Sequence, residues 1–171
     1  MKVVLAAAST PNGFIAGKGD NLSFITQTEW QGILKRAYDT GNCVMGYRAY
    51  QVMLKKGKFP FNCLNVVMTK RKQEKNKWPD KVLFTGKSPK EVLKLLEQKG
   101  FSEVFVLGGG HLNASFIKQK LVDEIVLDLE PWLFTEGTKM LEGKAISQRL
   151  KPLEARLVSP DEIRVVYKVE K

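Results

Sequence analysis

Val104-Phe105-Val106-Leu107, then Gly108-Gly109-Gly110, then His111-Leu112-Asn113-Ala114-Ser115-Phe116-Ile117 is the stretch on which the fold turns. An apolar, β-branched run, a side-chain-free turn and a helix-like segment read in order as strand, turn and helix. A turn without Cβ atoms can take φ > 0 and lets a ligand come close to the backbone. The helix start beyond it offers unpaired N–H groups and the positive end of the helix dipole, which favour an anion such as a pyrophosphate. The glycine spacing fits neither G-x-G-x-x-G nor G-x-x-x-x-G-K-[ST]. The local chemistry therefore points to a nucleotide cofactor held by a turn of another kind.

Working outward, strand and helix patterns alternate. Lys2 to Ala8 is a β-prone apolar run, closed by the turn residues Pro11-Asn12-Gly13, and Ala16 to Phe24 is a glycine-rich polar loop. Thr26 opens a helix in which Trp30, Ile33, Leu34, Ala37 and Tyr38 share one face, and Gly41 ends it. A short buried strand, Asn42 to Met45, leads to a helix from about Arg48 to Lys55; Leu64 to Thr69 is another strand and Lys81 to Phe84 a weaker one. Ser88-Pro89-Lys90-Glu91 has an N-cap serine, proline at the first helical position and a glutamate that completes a capping box; Gly100 stops that helix. Glu103–Leu107, the glycine turn and a helix to Lys120 follow, then a strand from Leu121 to Leu129. Ala155–Val158 and Ile163–Val169 close the chain as a hairpin around Pro160-Asp161. The expectation is one α/β domain over residues 1–171: a mixed, mostly parallel sheet with helices on both faces and a C-terminal antiparallel hairpin.

The 28 basic against 18 acidic residues give a net charge of +10, a field that attracts polyanions. The sharpest basic segment, Lys70-Arg71-Lys72-Gln73-Glu74-Lys75-Asn76-Lys77, has no interleaved aromatic for base stacking, so a cofactor phosphate is expected rather than nucleic acid. Cys43 and Cys63 sit in apolar settings without a Cys-x-x-Cys spacing, and His111 is the one histidine, so neither a disulfide framework nor a metal site is expected. Val3 to Ala8 is too short for a membrane span or signal-peptide core, which makes a cytoplasmic protein with no membrane partner the expectation.

Four motifs, in order, resemble the dihydrofolate reductase superfamily, which also contains the pyrimidine reductases of riboflavin synthesis. Leu5-Ala6-Ala7-Ala8 with Asn12-Gly13-Phe14-Ile15-Ala16 is similar to the first strand and the loop beside the nicotinamide. Val44-Met45-Gly46-Tyr47-Arg48 is similar to the strand and Met-Gly turn at the cofactor, and Val66 to Arg71 to the strand that ends at the 2′-phosphate. Val106-Leu107-Gly108-Gly109-Gly110 is similar to the glycine turn over the cofactor phosphates. The resemblance implies a dihydrofolate-reductase-like fold and NADPH as cofactor, bound by Ala8, Ile15, Gly46, Arg48, Thr69, Lys70, Gly108, Gly109, Gly110, His111 and Leu112. Arg48, Lys70 and Thr69 are a suitable set for a phosphate monoester.

The same alignment puts Ala7, Phe24, Ile33 and Met53 or Leu54 at the substrate and makes Glu29 the catalytic carboxylate. Glu29 also completes a second capping box with Thr26, and its apolar neighbours Phe24, Ile25 and Trp30 suit a raised pKa and proton management. Two departures concern the substrate. Phe59 to Leu64 lacks the arginine with which dihydrofolate reductases hold the folate tail, leaving Lys55, Lys56 and Lys58 nearby. Ala49-Tyr50-Gln51-Val52 stands where the pyrimidine reductases carry Asp-Asn-Pro, although Gly110 to Asn113, Leu121 to Glu124 and Leu153 to Tyr167 are similar to that branch. The implied reaction is reduction of 7,8-dihydrofolate to tetrahydrofolate by a monomer or homodimer, with a riboflavin-pathway aminopyrimidine ribosyl phosphate as the alternative substrate.

Overall fold

A computed structural model describes residues 1–71 and 75–171. Lys72, Gln73 and Glu74, the middle of the basic segment, lie outside the described residues. In chain order the elements are β1 (Lys2–Ser9), β2 (Phe14–Gly17), α1 (Gln27–Thr40), β3 (Asn42–Gly46), α2 (Tyr47–Lys55), β4 (Leu64–Met68), β5 (Val82–Thr85), α3 (Pro89–Gln98), β6 (Glu103–Gly108), α4 (Gly110–Lys118), β7 (Glu124–Leu129), β8 (Gly137–Lys139), β9 (Leu150–Ser159) and β10 (Glu162–Val169).

Eight of the strands form one sheet in the order β5-β4-β3-β6-β1-β7-β10-β9. The six from β5 to β7 run parallel; β10 and β9 are antiparallel. Strand periodicity sends alternate residues to opposite faces. Val4, Ala6, Met45 and Phe105 meet Trp30, Ile33 and Ala37 of α1 and Met53 of α2 on one face. Val3, Leu5, Val44 and Val106 meet Val92 and Leu96 of α3 and Phe116 and Ile117 of α4 on the other. The mostly parallel sheet, the helices on both faces and the closing hairpin are as the sequence predicts.

Three local readings are revised. β7 begins at Glu124 rather than Leu121, because Lys120 takes a left-handed φ of 57° and Val122 drops into the core instead of pairing. β9 runs from Leu150, not Ala155; most of its residues are exposed, so the core imposes no alternation that would mark its start. Phe14–Gly17, expected as loop, pairs with Gly137–Lys139 in a separate two-stranded sheet that no periodicity announces.

Candidate functional site

The C-terminal ends of the parallel strands surround a cavity of about 450 Å³. In open α/β sheets this is where ligands bind, because the crossover helices begin there. Ala7 and Ala8 end β1, Gly46 ends β3, Met68 ends β4, and Leu107 with Gly109, Gly110, His111 and Leu112 carries the wall from β6 into α4. Ile33 of α1 and Met53 of α2 close the apolar side.

The helices differ in how they begin. The side chains of Thr26 and Ser88 cap α1 and α3, each accepting from the backbone N–H three residues on. The N-caps of α2 and α4 are Gly46 and Gly109, which have no side chain to offer, and both line the cavity. Two helix starts with free N–H groups thus face one space, an arrangement that suits a pyrophosphate. The three glycines of the turn differ in function. Gly108 has φ +106°, and a Cβ there would lie 2.8 Å from Asn113 Oδ1. A Cβ on Gly110 would collide with the Lys139 carbonyl oxygen and lie 2.7 Å from Glu142 Cγ. Gly109 has an ordinary φ and nothing within 4 Å of its Cβ position. It alone of the three keeps ligand space open; the other two are needed by the protein's own packing.

Charge on the wall is concentrated beside these helix starts. Arg48 binds Asp20 through Nε (3.1 Å to Oδ2) and Nη2 (2.8 Å to Oδ1), and Thr138 Oγ1 donates to Asp20 Oδ1 at 3.4 Å. The hydrogen bond and charge of Asp20 raise the Arg48 pKa further above its ordinary value. His111 Nδ1 is 3.8 Å from Glu142 Oε2. A second depression of about 520 Å³, at the ends of β4 and β5, holds Thr69, Lys70 and Arg71. Arg71 stacks over Tyr47, itself a wall residue of the main cavity.

Glu29 lies elsewhere. It is 2% exposed, is not part of the cavity wall, and belongs with Asp128 and Glu162, all three offering carboxylate oxygens within 4.8 Å of one another. Arg164 binds Asp128 through Nε and Nη2, at 2.6 and 2.9 Å. Burial, then the charge of Asp128 and a hydrogen bond with it, then the charge of Glu162, push the Glu29 pKa up to about 9; Arg164 opposes this. At neutral pH Glu29 is therefore protonated, and Arg164 faces the cluster through Asp128. The second capping box forms only in half. Thr26 Oγ1 accepts from Glu29 N at 3.1 Å, but Thr26 N donates to Glu130 Oε1 at 2.9 Å. Glu29 is turned instead toward β7 and β10.

The structure thus brings Ala7, Ala8, Ile15, Ile33, Gly46, Arg48, Met53, Gly109, Gly110, His111 and Leu112 to one cavity. Thr69 and Lys70 lie in the second depression, and Gly108 stands behind the turn against Asn113. Phe24 is buried, edge-on to Phe134, with no place on the wall. Sequence reasoning did not find Asp20, Trp30 as a wall residue, Thr138 or Glu142. Asp20 had one signal, an acid in the tight turn Gly17-Lys18-Gly19-Asp20; Thr138 and Glu142 lie in a stretch with no periodicity.

A model of the RibD C-terminal domain matches residues 52–163. Among curated proteins, Bacillus subtilis YyaP, itself uncharacterized, is 22% identical over 97% of this chain and 94% of its own. Among solved structures, a Shewanella sp. PV-4 protein assigned to riboflavin biosynthesis superposes over the whole of both chains with a TM-score of 0.85 at 20% identity. A Thermotoga maritima diaminohydroxyphosphoribosylaminopyrimidine deaminase/5-amino-6-(5-phosphoribosylamino)uracil reductase gives 0.75 at 17% identity, over 98% of this chain and 56% of that one. These likenesses establish the fold, a dihydrofolate-reductase-like α/β architecture of the RibD type.

Proposed function

The chain belongs to the RibD C-terminal domain family, and from that premise we propose that it is an NADPH-dependent reductase of an aminopyrimidine ribosyl phosphate. The observation that carries the reading is the pairing of two glycine-capped helix starts, at Gly46 and Gly109, on one cavity wall with space left open in front of Gly109. Dihydrofolate, the substrate first implied by the resemblance, fits less well. A pterin's amino-pyrimidine edge calls for a buried carboxylate on the ring-binding side, and among the described residues the wall acids are Asp20 and Glu142, beside the helix starts. The acceptor named for the Thermotoga relative is 5-amino-6-(5-phosphoribosylamino)uracil, a phosphate-bearing pyrimidine.

In this reading the free N–H groups of α2 and α4 hold the cofactor pyrophosphate, with Arg48 beside them. Thr69 and Lys70 take the 2′-phosphate. NADPH supplies the hydride when bound. The small side chains of Ala7 and Ala8 would leave room for the nicotinamide, and Ile33 and Met53 would hold the acceptor beside it and keep water out. Lys58 holds its ammonium 5.4 Å from the ring of Trp30, a wall residue, and so provides positive charge for the substrate phosphate.

The test follows NADPH oxidation by absorbance with 5-amino-6-(5-phosphoribosylamino)uracil and, separately, dihydrofolate as the sole acceptor. Turnover with the pyrimidine is expected. Turnover with dihydrofolate alone would overturn the reading in favour of folate reduction.

A further inference from the structure

We propose that Asp20 is a built-in competitor for cofactor phosphate at Arg48: its carboxylate occupies, in the free protein, the guanidinium that the phosphate takes over on binding. The inference rests on the reading that this cavity binds NADPH. Arg48 presents Nε and Nη2 to the two oxygens of Asp20, at 3.1 and 2.8 Å. That is the fork by which a guanidinium grips a phosphate, so the two anions claim the same donors. Arg48 sits in the first turn of α2, directly after its uncapped start, where a negative group is favoured whether it is internal or a ligand.

Three features show a built arrangement rather than a chance surface pair. Asp20, Arg48 and Thr138 all line the cavity. Thr138 Oγ1, on the small β2–β8 sheet, donates to Asp20 Oδ1 at 3.4 Å, and its residue is 8% exposed. Asp20 itself adopts φ +61°, a conformation that costs a non-glycine residue energy and places this side chain over α2. The turn that carries it is closed by Gly17 N donating to Asn21 O and Asn21 N to Gly17 O. Asp20 holds the long Arg48 side chain in place, and its charge must be displaced or endured when a phosphate arrives. Both effects lower affinity for the cofactor and tie its arrival to movement of the 17–21 turn.

Dissociation constants for NADPH and NADH, measured by titration of the full chain, test this in wild type, Asp20→Asn, Asp20→Gly, Arg48→Gln and the Asp20→Asn/Arg48→Gln pair. Asparagine and glycine both tolerate φ +61°, so the turn survives either change. Both Asp20 variants should bind NADPH roughly three- to tenfold more tightly, the scale of releasing a partly exposed ion pair from one partner. The gain should vanish in the Arg48→Gln background. A gain with both cofactors assigns the contested phosphate to the pyrophosphate; a gain with NADPH alone assigns it to the 2′-phosphate. Unchanged or weaker binding in both Asp20 variants overturns the proposal, as does an equal gain without Arg48. A wild-type protein that binds neither cofactor overturns the NADPH reading first, and this inference with it.

Discussion

Glu29→Gln tests how the buried acids are balanced. In the folded protein Glu29 titrates at about 9, against an ordinary value of 4.5. Between those two values the folded state keeps a proton on Glu29 that the unfolded chain has lost. Stability from this group is complete below the unfolded value and falls as pH rises toward the folded one. The limiting slope is about 1.4 kcal/mol per pH unit. The raised pKa of Glu162, again from burial first, acts in the same direction. Glutamine keeps the shape of the protonated acid and a donor for Asp128, while Arg164 stays on Asp128, so the substitution removes the slope without emptying the site. Three pH units at that slope, from a crossing near pH 5, make the variant more stable at pH 8 by at most about 4 kcal/mol, or roughly 8–16 °C in Tm for a chain of this size. Thermal unfolding followed by circular dichroism from pH 5 to pH 9 should show a flatter profile for Glu29→Gln, crossing the wild-type curve near the acid end. Parallel profiles, or a variant less stable at pH 8, would mean that Glu29 is ionised in the folded protein, and the charge assignment would be lost.

Other substitutions separate the site from the scaffold. Glu29→Gln should leave turnover within about threefold of wild type, because the carboxyl is off the cavity wall; a loss of 10²–10⁴ in kcat would make it the proton donor after all. Gly109→Ala fills open space at an ordinary φ, so NADPH affinity should drop at least about tenfold while urea denaturation stays within about 0.5 kcal/mol of wild type. Gly110→Ala has no room for its methyl and should cost about 1–3 kcal/mol in the same denaturation series, with equal stability counting against the packing of β8 on the turn. Arg164→Met strips Asp128 of both guanidinium donors and should destabilise by about 3 kcal/mol in the same urea series, with unchanged stability counting against the pair.

The fold was legible where a residue's role is local or periodic. The continuous apolar runs of β1 and β6, the Ser88 capping box and the Gly108–Gly110 turn each impose their signature within a few residues, and together they order the sheet. Part of the cavity wall was legible through the resemblance, and it includes strand ends and helix starts such as Ala8, Gly46 and Gly109. Glu29 shows where this logic stops. Its place at the third position of α1 made it both a capping-box acid and a catalytic candidate. What settles its environment is Asp128 and Glu162, about 100 and 133 residues away in the chain, on strands that meet only in the folded sheet. Glu130 is of the same kind, taking the Thr26 N–H that local reading gave to Glu29. A local motif specifies which donors need a partner, but long-range pairing chooses the partner. A carboxylate 104 residues away can replace the one three residues on without any change in the motif itself. The most informative comparison within this family is therefore whether the acids at positions 29, 128, 130 and 162 change together with Arg164, since Thr26 binds both Glu130 and Glu162 while Arg164 and Glu29 both meet Asp128.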